Sequence, residues 1–188
     1  MSSSPVTACA REHGWPDDTS GESSLVGRQR RIEADRFWEK VVKGPRPQDC
    51  WIWTGAVADD GYGRFWIPRE SGGQQAVRPQ RYAYEHLTGE TLHPGIALMH
   101  VCDVPLCVHA TTGQDSHLLP GTQALNMLDR AQKGRHANAS SFRWRGIGRA
   151  QFHARSLELR TALLEHGWNE PIIRPLLTGT DPGAPTLF

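Results

Sequence analysis

No run in this chain approaches the roughly 18 to 20 consecutive apolar residues of a membrane span, and its opening stretch, MSSSPVTACAREHGWPDD, lacks the charged-then-apolar order of a secretory signal. The expectation is a soluble protein inside a cell, in the cytoplasm, with no membrane partner. Cysteine is also scarce, with four in 188 residues. A reducing compartment disfavours a disulfide framework, and Cys9 stands in a Ser/Asp-rich leader while Cys50, Cys102 and Cys107 lie in better ordered sequence. Three cysteines accompanied by histidine fit zinc better. No His-Glu-x-x-His occurs, which argues against a zinc peptidase. Internal repeats are absent, and low-complexity character is confined to the two ends.

What is present is enough for one compact domain with arms at either end. Apolar residues make up 38% and mean hydropathy is −0.53, so seven tryptophans must carry much of the core. The net charge of +1 conceals an uneven distribution: −3 over residues 1–25, +3 over 26–49, +6 over 131–160, and a mildly acidic middle. Two basic segments bracketing an acidic centre suit a protein whose flanks hold a polyanion. Solvated basic faces with no partner are the simpler alternative.

Residues 1–27 are Ser, Asp, Gly and Pro rich and read as a disordered arm. From Arg28 to Lys43, Ile32, Phe37, Trp38, Val41 and Val42 fall on one side of a helical projection that GPRP would stop. CWIWTG and YGRFWIP are aromatic strands around an Asp-Asp-Gly turn, with QQAVRPQ as a third strand. RYAYEHLTG is a short helix closed by Gly89, and IALMHV a strand ending at His100. Thr122 can cap a helix over QALNMLDRAQKG, with Gly134 as its stop. There Leu125 and Leu128 are expected to face the core, while Asn126, Asp129, Arg130 and Lys133 share a polar face. RSLELRTALLEHG, with Leu157, Leu163 and Leu164 near one face, and EPIIRPLLTG, broken by Pro171 and Pro175, form a weak helical tail. The class this predicts is mixed α+β.

Between His100 and Asp129 the chemistry is concentrated. Zinc takes four thiolate or imidazole ligands in a tetrahedron, and a Cys-x4-Cys loop can set two of them. Cys102 and Cys107 fit, Cys50 would come from the sheet, and His117 would be the fourth ligand in competition with His109. Ordinary buried thiols are the alternative. A closed zinc leaves no open position, so chemistry would need other groups. His100 can take a proton from water near neutral pH, and Asn126 is a neutral oxygen donor for a hard cation such as magnesium.

CWIWTGAVADDGYGRFWI, RYAYEHLTG, MHVCDVPLC, HLLPGT and NMLDRAQKGR, in that order, resemble the HNH-type endonucleases common in bacteriophages, in the branch similar to the His-Cys box homing endonucleases. The resemblance covers about residues 36 to 135 and rests on His-x-Cys-x4-Cys, then His, then Asn nine residues later. It implies a ββα-metal nuclease domain over residues 28–135 that hydrolyses DNA phosphodiesters to a 5′ phosphate and 3′ hydroxyl. His100 would be the general base, Asn126 the ligand of a catalytic Mg2+ or Mn2+ with Asp129 as an additional candidate, and Cys50, Cys102, Cys107 and His117 the structural zinc set. Arg81 is a candidate phosphate clamp. Two features depart from the family: nine residues separate Cys107 from His117 where four are usual, and Gln80 stands where the family has His. Residues 136–188 would be a basic linker and short helical tail, faintly similar to a helix-turn-helix whose third helix would be DPGAPTLF. DNA is the expected partner, and a homodimer is compatible with the reading. The rivals are a non-catalytic zinc-containing DNA-binding module and a nuclease subunit of a larger phage or defence machine.

Overall fold

The computed structural model describes residues 25–69, 71–132 and 149–178. Among them, in chain order, are α1 (Leu25–Trp38), β1 (Val41–Lys43), β2 (Trp51–Trp53), β3 (Ala56–Val57), β4 (Gly63–Pro68), β5 (Gln74–Val77), α2 (Pro79–Thr88), β6 (Ala97–His100), β7 (Leu118–Gly121), α3 (Gln123–Gln132), α4 (Arg149–His166) and α5 (Glu170–Thr178). The strands form three small antiparallel sheets, β1-β2, β3-β4-β5 and β6-β7. The chain is therefore mixed α+β. Cys9, Gly134, the linker after α3 and DPGAPTLF lie outside the described residues.

The first helix differs from expectation at both ends. It begins at Leu25, inside the stretch read as an arm, and ends at Trp38 rather than Lys43. Val41 and Val42 leave the helix because β-branched side chains suit a pleated pairing, and β1 sets them opposite Trp53 and Ile52 of β2. The three-stranded sheet departs from the sequence reading in one strand: CWIWTG pairs with β1 in a separate sheet, and Ala56–Val57, read as part of the turn, lies beside β4 instead. QQAVRPQ supplies β5 as expected, with Phe65 of β4 opposite Val77. Any side chain at Gly63 would collide with the Trp53 ring and Pro79. Helix α2 stops at Gly89, whose φ of 72° suits a residue without Cβ.

The core has an aromatic centre, but phenylalanine and tyrosine supply more of it than the tryptophan count suggested: among the described tryptophans only Trp53 is fully buried. Phe37 of α1 stacks on Trp53 at 5.1 Å and meets Phe65 edge-on at 5.2 Å, while Tyr82 of α2 closes on both phenylalanines. Leu159 and Leu163 of α4 and Ile173 of α5 are buried in this same cluster, and Arg160 donates from α4 to the Thr54 carbonyl at 2.9 Å. The helical tail is thus part of the core rather than an appendage to it. Leu164, expected on the packed face, is exposed. Pro175 sits inside α5 without breaking it; packing of Ile173, Leu176 and Leu177 on the core compensates for the missing backbone bond.

Helix α3 requires the largest correction. Thr122 caps it, its Oγ1 accepting from Leu125 N at 3.2 Å. Its apolar residues, however, face outward: Leu125 is 51% and Leu128 52% exposed, while Asn126 and Asp129 are half-buried. Helical periodicity marks two faces but does not decide which one the tertiary structure covers.

Candidate metal centre

Cys50 and Cys107 meet because the loop after β6 docks on β2. Trp53 N donates to Leu106 O at 2.8 Å and Val108 N to Trp51 O at 2.7 Å, and Ile52 pairs with Cys107 in an antiparallel bridge. Residues 106–108 therefore extend the β1-β2 sheet and set Cys107 beside the residue that precedes β2. On the other side of the loop, the β6-β7 hairpin pairs His100 with Leu118, and Val101 N donates to His117 O at 2.9 Å. That hairpin carries His117 to the two thiols. Between them Asp103, at φ 61°, turns the chain through the left-handed region that Asp tolerates.

The result is a cluster of Cys50, Cys102, Cys107 and His117 whose ligand atoms all lie within 4.8 Å of one another. His117 Nδ1 is 3.5 Å from the sulfurs of both Cys50 and Cys107. A tetrahedral zinc about 2.3 Å from sulfur and 2.0–2.1 Å from nitrogen holds such atoms about 3.5 Å apart. The outer nitrogen is also set: Nε2 of His117 lies 3.1 Å from the Gln48 carbonyl, so it donates there and leaves Nδ1 to bind a metal. Three thiols this close cannot all ionise by themselves. Burial pushes Cys107 up, hydrogen bonding with Cys102 pushes Cys50 up, and Cys102, bonded by Cys107 and Cys50, is held well down. The bond to Cys102 likewise raises His117. A divalent cation resolves this conflict by stabilising all the thiolates together. The four residues could hold a metal such as zinc.

His109, the competitor for the fourth position, has other work. Its ring is 1% exposed, stacks on Trp51 at 4.3 Å and 9°, and places Nδ1 2.8 Å from the Asp49 carbonyl. Lys43 Nζ covers the Trp51 ring at 3.8 Å. His109 in turn lies 4.5 Å from the His117 ring, so the Lys43, Trp51 and His109 stack walls the cluster from behind. Asp49 is fixed by Arg46, whose guanidinium reaches it at 2.9 Å.

His100 ends β6, where the same loop begins. It is 7% exposed, and its Nε2 lies 3.1 Å from the Cys107 carbonyl. That bond assigns the proton to Nε2 and makes Nδ1 the basic nitrogen. Helix α3 packs against β6, with Asn126 and Asp129 half-buried.

Arg81 is differently placed from a clamp. Its guanidinium donates to the carbonyls of Ile96 at 3.0 Å and His93 at 2.8 Å, and also to Leu92. It pins the segment leading into β6. Sequence reasoning missed three residues on the other flank. The Tyr62 ring lies 6.0 Å from His100, Arg78 lies over Tyr62 at 4.9 Å, and Asp60 holds Arg78 by two bonds, the shorter 2.6 Å. Asp60 belongs to the Asp-Asp-Gly turn, Tyr62 follows it and Arg78 reaches it from the start of α2; the turn's signal in the sequence was of a turn alone.

The chain is 33% identical over 119 residues to protein 7.7 of Escherichia phage T7, an overlap spanning 63% of this chain and 79% of that protein. It is 31% identical over 86 residues to protein 2.8 of the same phage, spanning 46% of this chain and 52% of that protein. No family model matches the chain. No solved structure matches it significantly.

Proposed function

The chain belongs to the family of Escherichia phage T7 protein 7.7, and from that premise and the geometry around His100 we propose that it is a metal-dependent DNA endonuclease with a structural zinc and a ββα-metal core formed by β6, β7 and α3. One observation carries the reading: the loop that gives Cys107 to the metal cluster also gives its carbonyl to His100 Nε2 at 3.1 Å. A zinc closed by four protein ligands fixes that loop, and the loop fixes the tautomer of the base.

In this mechanism Nδ1 of His100 takes a proton from water as the oxygen attacks phosphorus in line. The bond from phosphorus to the 3′ oxygen breaks and that oxygen takes a proton from solvent, leaving a 5′ phosphate and a 3′ hydroxyl, while His100 returns its proton to solvent. Asn126 and Asp129, three residues apart on the half-buried side of α3, are the oxygen donors offered to a catalytic magnesium or manganese. When bound, such a cation supplies charge for the crowded phosphorane and the departing oxygen. Supercoiled plasmid incubated with the purified protein tests the reading. Nicking or linearisation with magnesium, abolished by a chelator, supports it, and intact plasmid at high enzyme concentration contradicts it.

A further inference from the structure

Five tryptophans lie among the described residues, and four have visible partners. Trp38 meets Phe37 edge-on, Trp51 stacks on His109, Trp53 donates to the Ala56 carbonyl and Trp168 to Glu170. Trp66 is the exception. It is 42% exposed, and among the described residues its ring stacks on no other. Single exposed apolar residues are ordinary, so the surroundings of Trp66 must decide what it means.

Those surroundings follow from strand register. Side chains alternate across a strand, so Arg64, Trp66 and Pro68 share the outer face of β4 while Phe65 points into the core. Opposite them are Ala56 of β3 and Ala76 and Gln74 of β5. The indole thus lies on a sheet face whose cross-strand neighbour is an alanine, with no bulky side chain directly opposite. Arg64 shares the face, and Arg36 reaches the edge of the strand from the core side of the sheet. Arg64 is two residues away on the same face, held by Asp60 at 3.5 Å. Arg36 of α1 lies over the Phe65 ring at 5.6 Å and donates to the Trp66 carbonyl at 3.3 Å. One turn before Arg36 is exposed Ile32, and Arg28, Arg30 and Arg31 are exposed at the start of the same helix. An apolar partner protein would seek a ring of aliphatic side chains here. The face offers one flat aromatic among alanine, proline, glutamine and arginine.

From this we infer that the outer face of β3-β4-β5 is a binding site for single-stranded nucleic acid, with one base stacked on Trp66 and the neighbouring phosphates attracted by Arg64 on the same face and by Arg36 at the strand's edge. An aromatic platform beside a cationic groove is how proteins hold unpaired strands without reading sequence. A duplex hides its base faces in its own stack, so Trp66 selects the unpaired form. The inference rests on the nucleic-acid half of the reading above and is independent of whether the chain cuts.

The test is fluorescence anisotropy with a labelled oligothymidylate and a labelled hairpin duplex, using the zinc-loaded full chain and its Trp66→Ala and Trp66→Phe variants. Trp66→Ala should weaken oligothymidylate binding about 5-fold or more, the lower end of what one base stack contributes. Binding to the duplex should change less than about 2-fold, and Trp66→Phe should recover much of the loss. Because the residue is exposed, zinc content and melting should match wild type. Wild-type affinity in Trp66→Ala, equal loss for both ligands, Trp66→Phe as weak as Trp66→Ala, or no oligothymidylate binding by the wild type would each overturn the inference. Plasmid cutting measured on the same samples separates the two ideas. Trp66-dependent strand binding without cutting leaves this site standing and removes the nuclease, whereas cutting without Trp66 dependence does the reverse.

Discussion

The two sides of the loop between β6 and β7 are furnished differently. On one side the chain supplies all four ligand atoms of the metal cluster, within 4.8 Å of one another, and supports them with the Gln48 carbonyl and the His109 and Trp51 stack. On the other it supplies an oriented imidazole at His100 and two half-buried oxygen donors on α3. A site meant to stay closed can be completed by protein alone. On the proposed nuclease reading, the second must admit phosphate and water and is therefore left incomplete. The difference explains why the cluster can be recognised from its geometry, whereas the second site has to be tested by chemistry.

Removing one ligand should break the comparison most severely. Cys107→Ser should reduce metal content from about one per chain to near zero by elemental analysis, and with it remove binding energy of roughly 10–16 kcal/mol. No cooperative thermal transition should remain by circular dichroism. A folded, metal-free variant with unchanged melting would make the thiols ordinary core residues.

On the open side the protein should survive and the rate should not. Asn126→Ala should keep its zinc and cut on the order of 100-fold more slowly, since metal stabilisation is worth several kcal/mol. Raising magnesium or manganese should restore part of the rate, as weakened cation binding requires. Asp129→Ala should resemble it if both oxygens serve the cation, and should match wild type if the carboxylate has no share.

The two histidines that border the cluster sharpen the contrast further. His117→Ala should release the ion on dialysis. His109→Ala should retain it while losing about 2–4 kcal/mol of stability, through the stacked ring and the bond to Asp49. Retention of the ion by His117→Ala and its release by His109→Ala would exchange the assignments.

The smallest effect concerns the Asp60 and Arg78 pair beside His100. The hydrogen bonds from Arg78 hold the Asp60 carboxyl well below its ordinary range. Its contribution is therefore complete above the ordinary carboxyl value and is lost as pH falls towards the depressed one. Asp60→Asn should destabilise the protein by about 1 kcal/mol at pH 7, because the pair is partly solvent-screened. In urea titrations the gap to wild type should narrow below about pH 4, where an unperturbed carboxyl protonates. A gap that is constant or grows on acidification would show that the charge is not what matters.

Local chemistry was legible wherever one residue settled a question. Thr122 caps α3 as a hydroxyl before a helical pattern should, Gly89 ends α2 at positive φ, and β6 delivers His100 at its last position. The three ordered cysteines could be grouped by residue type, since few other roles suit them. Outcomes set by distant partners were not legible. Val41 and Val42 fit a helical face as well as a strand until Trp53 and Ile52 are present to pair with them. His109 and His117 differ only because Trp51 lies under one ring and the thiols beside the other. The outward turn of Leu125 and Leu128, and the burial of Leu159, Leu163 and Ile173 in the main core, depend on which surfaces meet. Periodicity does not encode that.

The central claim is that one loop holds a closed zinc on one side and a catalytic base on the other, and His100→Ala tests it most directly. Zinc content and plasmid cleavage should be measured on the same preparation of variant and wild type. The account predicts about one zinc per chain in both, with cleavage by the variant slower by roughly 100-fold to 10,000-fold and not recovered by added magnesium or manganese. A zinc-loaded His100→Ala protein that cuts at the wild-type rate would contradict it.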